Sequence, residues 1–181
     1  MTDTSANNNV ITTPRLILRA ITPNDAAAIF SMRSDAEVMR FIPRPRAVKM
    51  EDVTSLISVM EKGDRENTSR NWAITLKDDD RLIGYIGFVS IRPDDFRAEI
   101  GYMLAPVHHG KGIMTEAIRA VTAYGFSHMG LHTIQAVTDP ANHASISALI
   151  KCGFEKEGHL KENIFFEGQF LDSVYFTLFN K

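Results

Sequence analysis

The chain is poor in cysteine, in clustered basic residues and in long apolar stretches. Its single cysteine, Cys152, excludes an intramolecular disulfide and any multi-cysteine metal site. With 20 basic and 22 acidic side chains the formal net charge is −2, and the absence of a basic run argues against nucleic acid as the main partner. No stretch approaches the roughly 20 apolar residues of a membrane span, and the opening residues lack the cationic and apolar regions of a signal peptide. A soluble, cytoplasmic protein with neither membrane nor nucleic-acid partner is therefore expected. The histidines, at 108, 109, 128, 132, 143 and 159, show no spacing that suits metal ligands, so no metal is expected. A length of 181 residues predicts one domain, large enough to bury about 70% of its unfolded surface. Residues 1–12 read as a disordered polar tail and 13–181 as that domain.

What is present is a mixed α/β pattern. Strands are predicted at 13–20, 71–75, 82–89, 98–104, 132–138, 154–160 and 173–179. Thr22, Pro23, Asn24 and Asp25 cap a first helix, and a second over 49–62 carries Val53, Leu56, Ile57 and Met60 on one stripe. Pro43 and Pro45 block helix between them. Asp78, Asp79 and Asp80 read as the turn of a hairpin, and Gly153 as the stop of a short helix over 144–151.

The segment 105–126 organises the rest. Pro106 closes an apolar strand, Gly110 and Gly112 bracket a tight loop, and Ile113, Ala117, Ala120, Val121 and Tyr124 recur at helical spacing. Glycines let main chain approach a ligand, and free N–H groups at a helix N-terminus favour a phosphate or pyrophosphate. Two readings stand: an anion cradle, or a structural turn opening a helix. Nucleotide motifs fit poorly. A P-loop needs Ser or Thr directly after Gly-Lys, and here Gly112 follows Lys111; a dinucleotide fingerprint needs a third small residue where Thr115 stands.

Three stretches stand in order: Glu99-Ile-Gly-Tyr-Met-Leu104, His109-Gly-Lys-Gly112-Ile-Met-Thr115, and Asn142-His-Ala-Ser145 running on to Gly153-Phe154. Together they resemble the GNAT superfamily of acetyl-CoA-dependent N-acetyltransferases. The opening Thr13-Pro-Arg-Leu-Ile-Leu-Arg19 and the closing Gly168-Gln-Phe-Leu-Asp172-Ser-Val-Tyr175 resemble its branch that acetylates the N-terminal alanine or serine of ribosomal proteins. The resemblance implies one N-acetyltransferase domain, with a mostly antiparallel sheet of six to seven strands, splayed between the fourth and fifth and flanked by helices. It also implies acetyl-CoA as co-substrate, its pyrophosphate held by the loop of His109, Gly110, Lys111, Gly112, Ile113, Met114 and Thr115. Met103, Leu104 and Ala105 would pair with the pantetheine amides as an extra strand does, and Asn142 would hydrogen-bond the cofactor arm. His109 stands where the family usually has Gln or Arg, and Met114 where it has a small residue.

Aminolysis of a thioester needs a neutral amine, a dock for the developing oxyanion and a proton for the leaving thiolate. An α-amino group titrates near 7.7 to 8.0, against about 10.4 for lysine, so protein N-termini are the easier acceptors. Glu99 is the first candidate base, with a structural carboxylate on a strand face as its alternative. Ser145 resembles the serine the ribosomal branch carries near the thiol; its alternative is a first-turn residue bonding backbone. Tyr102 and Tyr175 are weaker candidates for the acid, with packed rings and satisfied hydroxyls as the first reading, and Ile150 occupies the position where many family members carry a tyrosine acid. Cys152 reads as a buried thiol. Rivals to a protein N-terminus are a small amine such as a polyamine, amino acid or antibiotic, and a catalytically silent acyl-CoA sensor. The acceptor-shaping segments, 33–62 and 161–172, carry no readable code. Glu162, Glu167 and Asp172 are either an attraction for a cationic amine or a solvated loop, and monomer and homodimer both stand open.

Overall fold

The computed structural model describes residues 10–181. In chain order its elements are β1 (Ile11–Thr12), β2 (Leu16–Ala20), α1 (Ala26–Ser34), α2 (Ala36–Met39), α3 (Met50–Arg65), β3 (Arg70–Leu76), β4 (Asp79–Arg92), β5 (Arg97–Leu104), α4 (Ile113–His128), β6 (Thr133–Thr138), α5 (His143–Lys151), β7 (Glu155–Phe166) and β8 (Gln169–Phe179). They form one eight-stranded sheet in the order β1-β2-β3-β4-β5-β6-β8-β7. Every neighbouring pair is antiparallel except β5 and β6, which run parallel.

The two sheet faces hold separate apolar layers. Ile86, Phe88, Ala98, Ile100, Ile134 and Phe176 pack under α4 and α5, against Ile113, Ala117, Val121 and Leu149. The opposite face buries Ala73, Leu82, Tyr85 and Met103 under Ile29, Met32, Val53 and Ile57 of α1 and α3. Successive strand residues point to opposite faces, so Ala98 and Ile100 belong to the α4 side while Glu99 and Met103 belong to the α1/α3 side. An anchor fixes the entry to α1. Buried Asp25 accepts from the Thr22 N–H at 2.8 Å and from both terminal guanidinium nitrogens of Arg19 at 2.9 Å.

The splay expected between the fourth and fifth long strands lies between β5 and β6. Their ladder runs only from Arg97 opposite Thr133 to Ile100 opposite Ala136, while β5 continues to Leu104 and β6 to Thr138. Beyond Ile100 the strands part and leave a gap through the sheet.

Several expected boundaries shift. Of the tail assigned to 1–12, residues 1–9 lie outside those described, and Ile11–Thr12 forms β1, which takes the strand count to eight. The first long strand begins at Leu16, because Thr13 closes a turn with Leu16 and carries the chain round Pro14. The β3–β4 turn is Lys77 and Asp78; Asp79 and Asp80 already belong to β4. A one-turn helix, α2, forms before the Pro43 and Pro45 segment because the Asp35 side chain accepts from the Glu37 and Val38 N–H groups. The final hairpin is longer than its apolar alternation showed. β7 is a sheet edge of mostly exposed residues, interrupted by a bulge between Leu160 and Ile164 where Glu162 takes φ 52°. No helix of the described residues is long and apolar enough to cross a membrane.

Candidate active site

The glycine loop has the backbone geometry that an anion cradle needs. Gly110 and Gly112 both adopt φ 73°, a left-handed conformation that costs an L side chain about 1–2 kcal/mol, which explains both glycines. The first main-chain bond of α4 runs from the Glu116 N–H to the Gly112 carbonyl. The N–H groups of residues 110–115 meet no acceptor among the described residues. Six donors thus collect at the positive end of a 16-residue helix, the arrangement that holds a pyrophosphate. Lys111 folds its ammonium back onto the Val107 carbonyl at 2.8 Å.

Behind the loop stands a network that the sequence did not reveal. Glu116, in the first turn of α4, accepts from the Thr13 hydroxyl at 2.6 Å, the Arg15 N–H at 3.0 Å and Arg15 Nε at 2.6 Å. Arg15 Nη1 donates to the Lys111 carbonyl at 2.9 Å. Burial alone would raise the Glu116 carboxyl, but the bonds from Thr13 and Arg15 outweigh it and hold the group below the usual range. Thr13 and Arg15 lie about a hundred residues from Glu116, so no local spacing announces the contact.

His109 braces the loop instead of joining the cradle. Its N–H bonds the Pro106 carbonyl at 3.0 Å, and its Nε2 donates to the Leu104 carbonyl at 2.9 Å. The same alternation limits the strand edge offered to a cofactor. The Ala105 N–H bonds the Ile83 carbonyl of β4 and the Ala105 carbonyl accepts from the His108 N–H. The Met103 carbonyl likewise points at β4, lying 2.5 Å from where a Cβ on Gly84 would stand. Met103 and Ala105 therefore have no main-chain group for an extra strand. Leu104 and Tyr102, one residue out of phase, face the gap, and Leu104 offers its N–H.

Across the gap, α5 supplies the second wall. Asn142 caps it, its Oδ1 accepting the Ser145 N–H at 3.1 Å, which leaves the Asn142 amide NH₂ to donate elsewhere. Leu149, Ile150, Gly153 and Phe154 close the helix in a Schellman arrangement, with bonds of 3.1 Å from Phe154 to Leu149 and 3.0 Å from Gly153 to Ile150. Ser145 Oγ lies 2.8 Å from the Tyr102 hydroxyl, so a bond bridges β5 and α5 at the parting of the strands. Two hydroxyls sharing one bond spend one proton on it and keep one to donate to a third atom. Burial pushes the Tyr102 phenol up to about 12, against the pull of its bond with Ser145. The tyrosine that reads as a satisfied packed ring is thus satisfied by the other candidate, a pairing that residues 43 positions apart give no means of foreseeing.

Glu99 sits on β5 opposite Gln135, on the α1/α3 face and two residues before the gap opens. Its carboxylate is half-buried and bonds no group among the described residues. Burial raises its proton affinity, partly offset by the positive charges of Arg44, Arg97 and Arg92. The remaining candidates fall away from this geometry. The Cys152 thiol donates to the Thr115 carbonyl at 3.5 Å, and burial pushes it up, so it stays protonated. Asp172 is spent inside the β7–β8 hairpin, on His159 at 2.7 Å and the Glu162 N–H at 2.9 Å. Ile150 is 59% exposed and lines, with Ile146, His159 and Phe176, a separate groove of about 280 Å³.

Residues 15–155 match the family model described as acetyltransferase (GNAT) domain. The uncharacterized N-acetyltransferase YoaA of Bacillus subtilis (strain 168) is 38% identical over 169 residues, 93% of this chain and 96% of that protein. Two Escherichia coli (strain K12) proteins differ in acceptor. Spermidine N(1)-acetyltransferase is 26% identical over 90% of this chain and 84% of its own. [Ribosomal protein uS5]-alanine N-acetyltransferase is 27% identical over 93% and 89%. The crystal structure of a GNAT-family acetyltransferase from Bacillus anthracis superposes with TM-score 0.84 at 28% identity, covering 94% of this chain and 98% of that one. An open sheet split beside a donor-lined helix start is what such a fold requires, and the match extends over most of the sequence: the chain belongs to the GNAT acetyltransferase family and is an N-acetyltransferase.

Proposed function

We propose that this enzyme transfers acetyl from acetyl-CoA to the N-terminal α-amine of a protein or peptide, with ribosomal proteins as the model acceptors. The observation that carries the reading is Glu99, a half-buried carboxylate with no hydrogen-bond partner among the described residues, on the face opposite the cradle and beside the gap. A carboxylate, even one raised by burial, is a weak base. It suits an α-ammonium near pH 8 far better than a primary alkylammonium near 10.4, because at neutral pH a sizeable share of the former is already neutral.

The residues present fit acetyl-CoA. The N–H groups of residues 110–115 would hold its pyrophosphate, the Leu104 N–H and the Asn142 amide its arm, and the co-substrate brings the activated acetyl thioester. Glu99 receives the amine proton directly or through water. The Tyr102–Ser145 pair turns its free O–H toward the gap as a hydrogen-bond donor. With the phenol at about 12 and an ordinary thiol near 8.5, Tyr102 keeps its proton and stabilises charge on sulfur without surrendering it.

Acetylation of a small amine is the second reading, supported by the 26% identity to a spermidine acetyltransferase. Thiol release from acetyl-CoA, followed with an alanine- or serine-starting peptide and with spermidine, tests the two. Higher kcat/KM on the peptide is expected; turnover of spermidine alone overturns the proposal.

A further inference from the structure

The α1/α3 face of the gap is basic in a chain that is acidic overall. Between residues 33 and 49 five basic side chains (Arg33, Arg40, Arg44, Arg46, Lys49) face two acidic ones (Asp35, Glu37), a local +3 against −2 for the whole protein. Two of the five are answered nearby, Arg40 by Glu37 at 3.9 Å and Lys49 by Asp52, while Asp35 is occupied as the cap of α2, which leaves the charges of Arg33, Arg44 and Arg46. Arg33, Arg44 and Arg46 form no ion pair among the described residues.

Two of these arginines are placed against the site. Arg33, at the end of α1, extends Nη1 to 3.5 Å from the Tyr85 hydroxyl. Tyr85 pairs directly with Met103, and both side chains lie in the α1/α3 layer, so Arg33 stands over the part of β5 that borders the gap. Arg44, exposed in the segment between α2 and α3, is the foremost charge acting on the Glu99 carboxyl. The segment is held to α1 by the Ala47 N–H on the Arg33 carbonyl at 3.0 Å. An amine at Glu99 therefore has Arg44 near it and Arg33 about four strand residues away, roughly 13 Å at the strand rise, the reach of four extended peptide residues.

We infer that the acceptor is an acidic N-terminus, carrying a carboxylate side chain within its first four residues, which Arg33 and Arg44 select, with Arg46, exposed two residues further along the same segment, adding to their charge. This rests on the reading of the acceptor as an α-amine. It also sets the site against polycations: a second or third positive charge on the acceptor would enter beside arginines that form no ion pair among the described residues.

The test is kcat/KM for alanine-starting peptides with acidic, neutral or basic residues at positions two to four, with spermidine alongside, on the full chain and its Arg44→Glu and Arg46→Glu variants. One charge pair at about 6 Å in a partly wet site is worth about tenfold. The wild type should therefore favour the acidic over the basic peptide by ten- to a hundredfold. Each charge reversal should cut that ratio by at least about tenfold, and added salt should shrink it in the wild type. Because both peptides meet the same catalytic groups, the ratio is insensitive to any change at Glu99, and Arg44 and Arg46 are exposed enough to replace without threatening the fold. Equal turnover of all peptides overturns this inference and leaves the α-amine reading standing. Faster acetylation of spermidine than of any peptide overturns both.

Discussion

Gly112 offers a direct trial of the cradle, because its replacement sets conformation against space. A Cβ there would meet only Arg15 Nη2, at 3.5 Å, which is ordinary contact. The cost of a side chain is therefore conformational: φ is 73°, and a β-branched residue in that region costs between about 1 and 3 kcal/mol. In Gly112→Val this strain has two outlets. If the loop keeps its shape, the fold carries about 2 kcal/mol and Tm falls by about 4–8 °C. If the loop relaxes, the N–H groups of residues 110–115 diverge and the same 2 kcal/mol appears as roughly 30-fold weaker acetyl-CoA binding. Calorimetric titration and thermal unfolding together capture both. Gly112→Asn, whose side chain tolerates the left-handed region, should stay within about threefold in Kd. A Val variant unchanged in both readouts would refute the cradle, since the loop's geometry would then matter neither to the fold nor to the ligand.

Replacing Glu99 by Gln should lower kcat about a hundredfold while leaving acetyl-CoA affinity intact. Because burial raises its carboxyl, the wild type's contribution from this group is full below the ordinary Glu pKa and lost as pH rises through the folded value, so melting curves from pH 4 to 8 should show Glu99→Gln gaining stability relative to wild type. Tyr102→Phe and Ser145→Ala should each reduce kcat by ten- to a hundredfold, and the double variant should be little worse than either, since each single change breaks the same bond. Glu116 has the opposite sign: its folded carboxyl is depressed, so its stabilisation is present above the ordinary Glu pKa and lost as pH falls through the folded one. Glu116→Gln should thus lie below wild type in Tm at pH 7 and converge with it in acid unfolding below about pH 4.

What could be read ahead of the structure follows from the range of the forces involved. Helices α3, α4 and α5 and strands β3 to β6 declare themselves through residues a few positions apart, where periodicity and caps act. The failures lie where distance in sequence exceeds any such pattern. β1 exists because Ile11 and Thr12 find Leu18 and Ile17, two residues of alternation too few to notice. β7 is legible only as far as Leu160 and continues to Phe166 because β8 pairs with it, around a bulge stitched by Asp172. At the site, the glycine loop was legible because a left-handed φ leaves glycine in the sequence. The brace that aims it, Arg15 on Glu116, leaves only two ordinary charges. The phase of β5 was equally hidden: that Leu104 and not Met103 or Ala105 faces the gap depends on which strand edge β4 covers.

That phase explains how one strand can serve two sides of a reaction. Along β5, odd residues send side chains to the α1/α3 face and even residues to the α4/α5 face. Glu99 and Tyr102, three positions apart, therefore lie on opposite faces, with the gap between them, as the proposed base and donor require. A base and a donor on one face would compete for the same proton and neutralise each other through a direct bond. Separated by the sheet, Glu99 remains free of any partner among the described residues, and Tyr102 is bonded to Ser145. On the proposed function, the amine proton would leave on the side where the acceptor enters, and charge on sulfur would be met from the side that holds the cofactor arm. Parting the strands after Ile100 is what lets the two faces communicate, since a ladder continued to Leu104 would close the sheet and leave two unconnected half-sites.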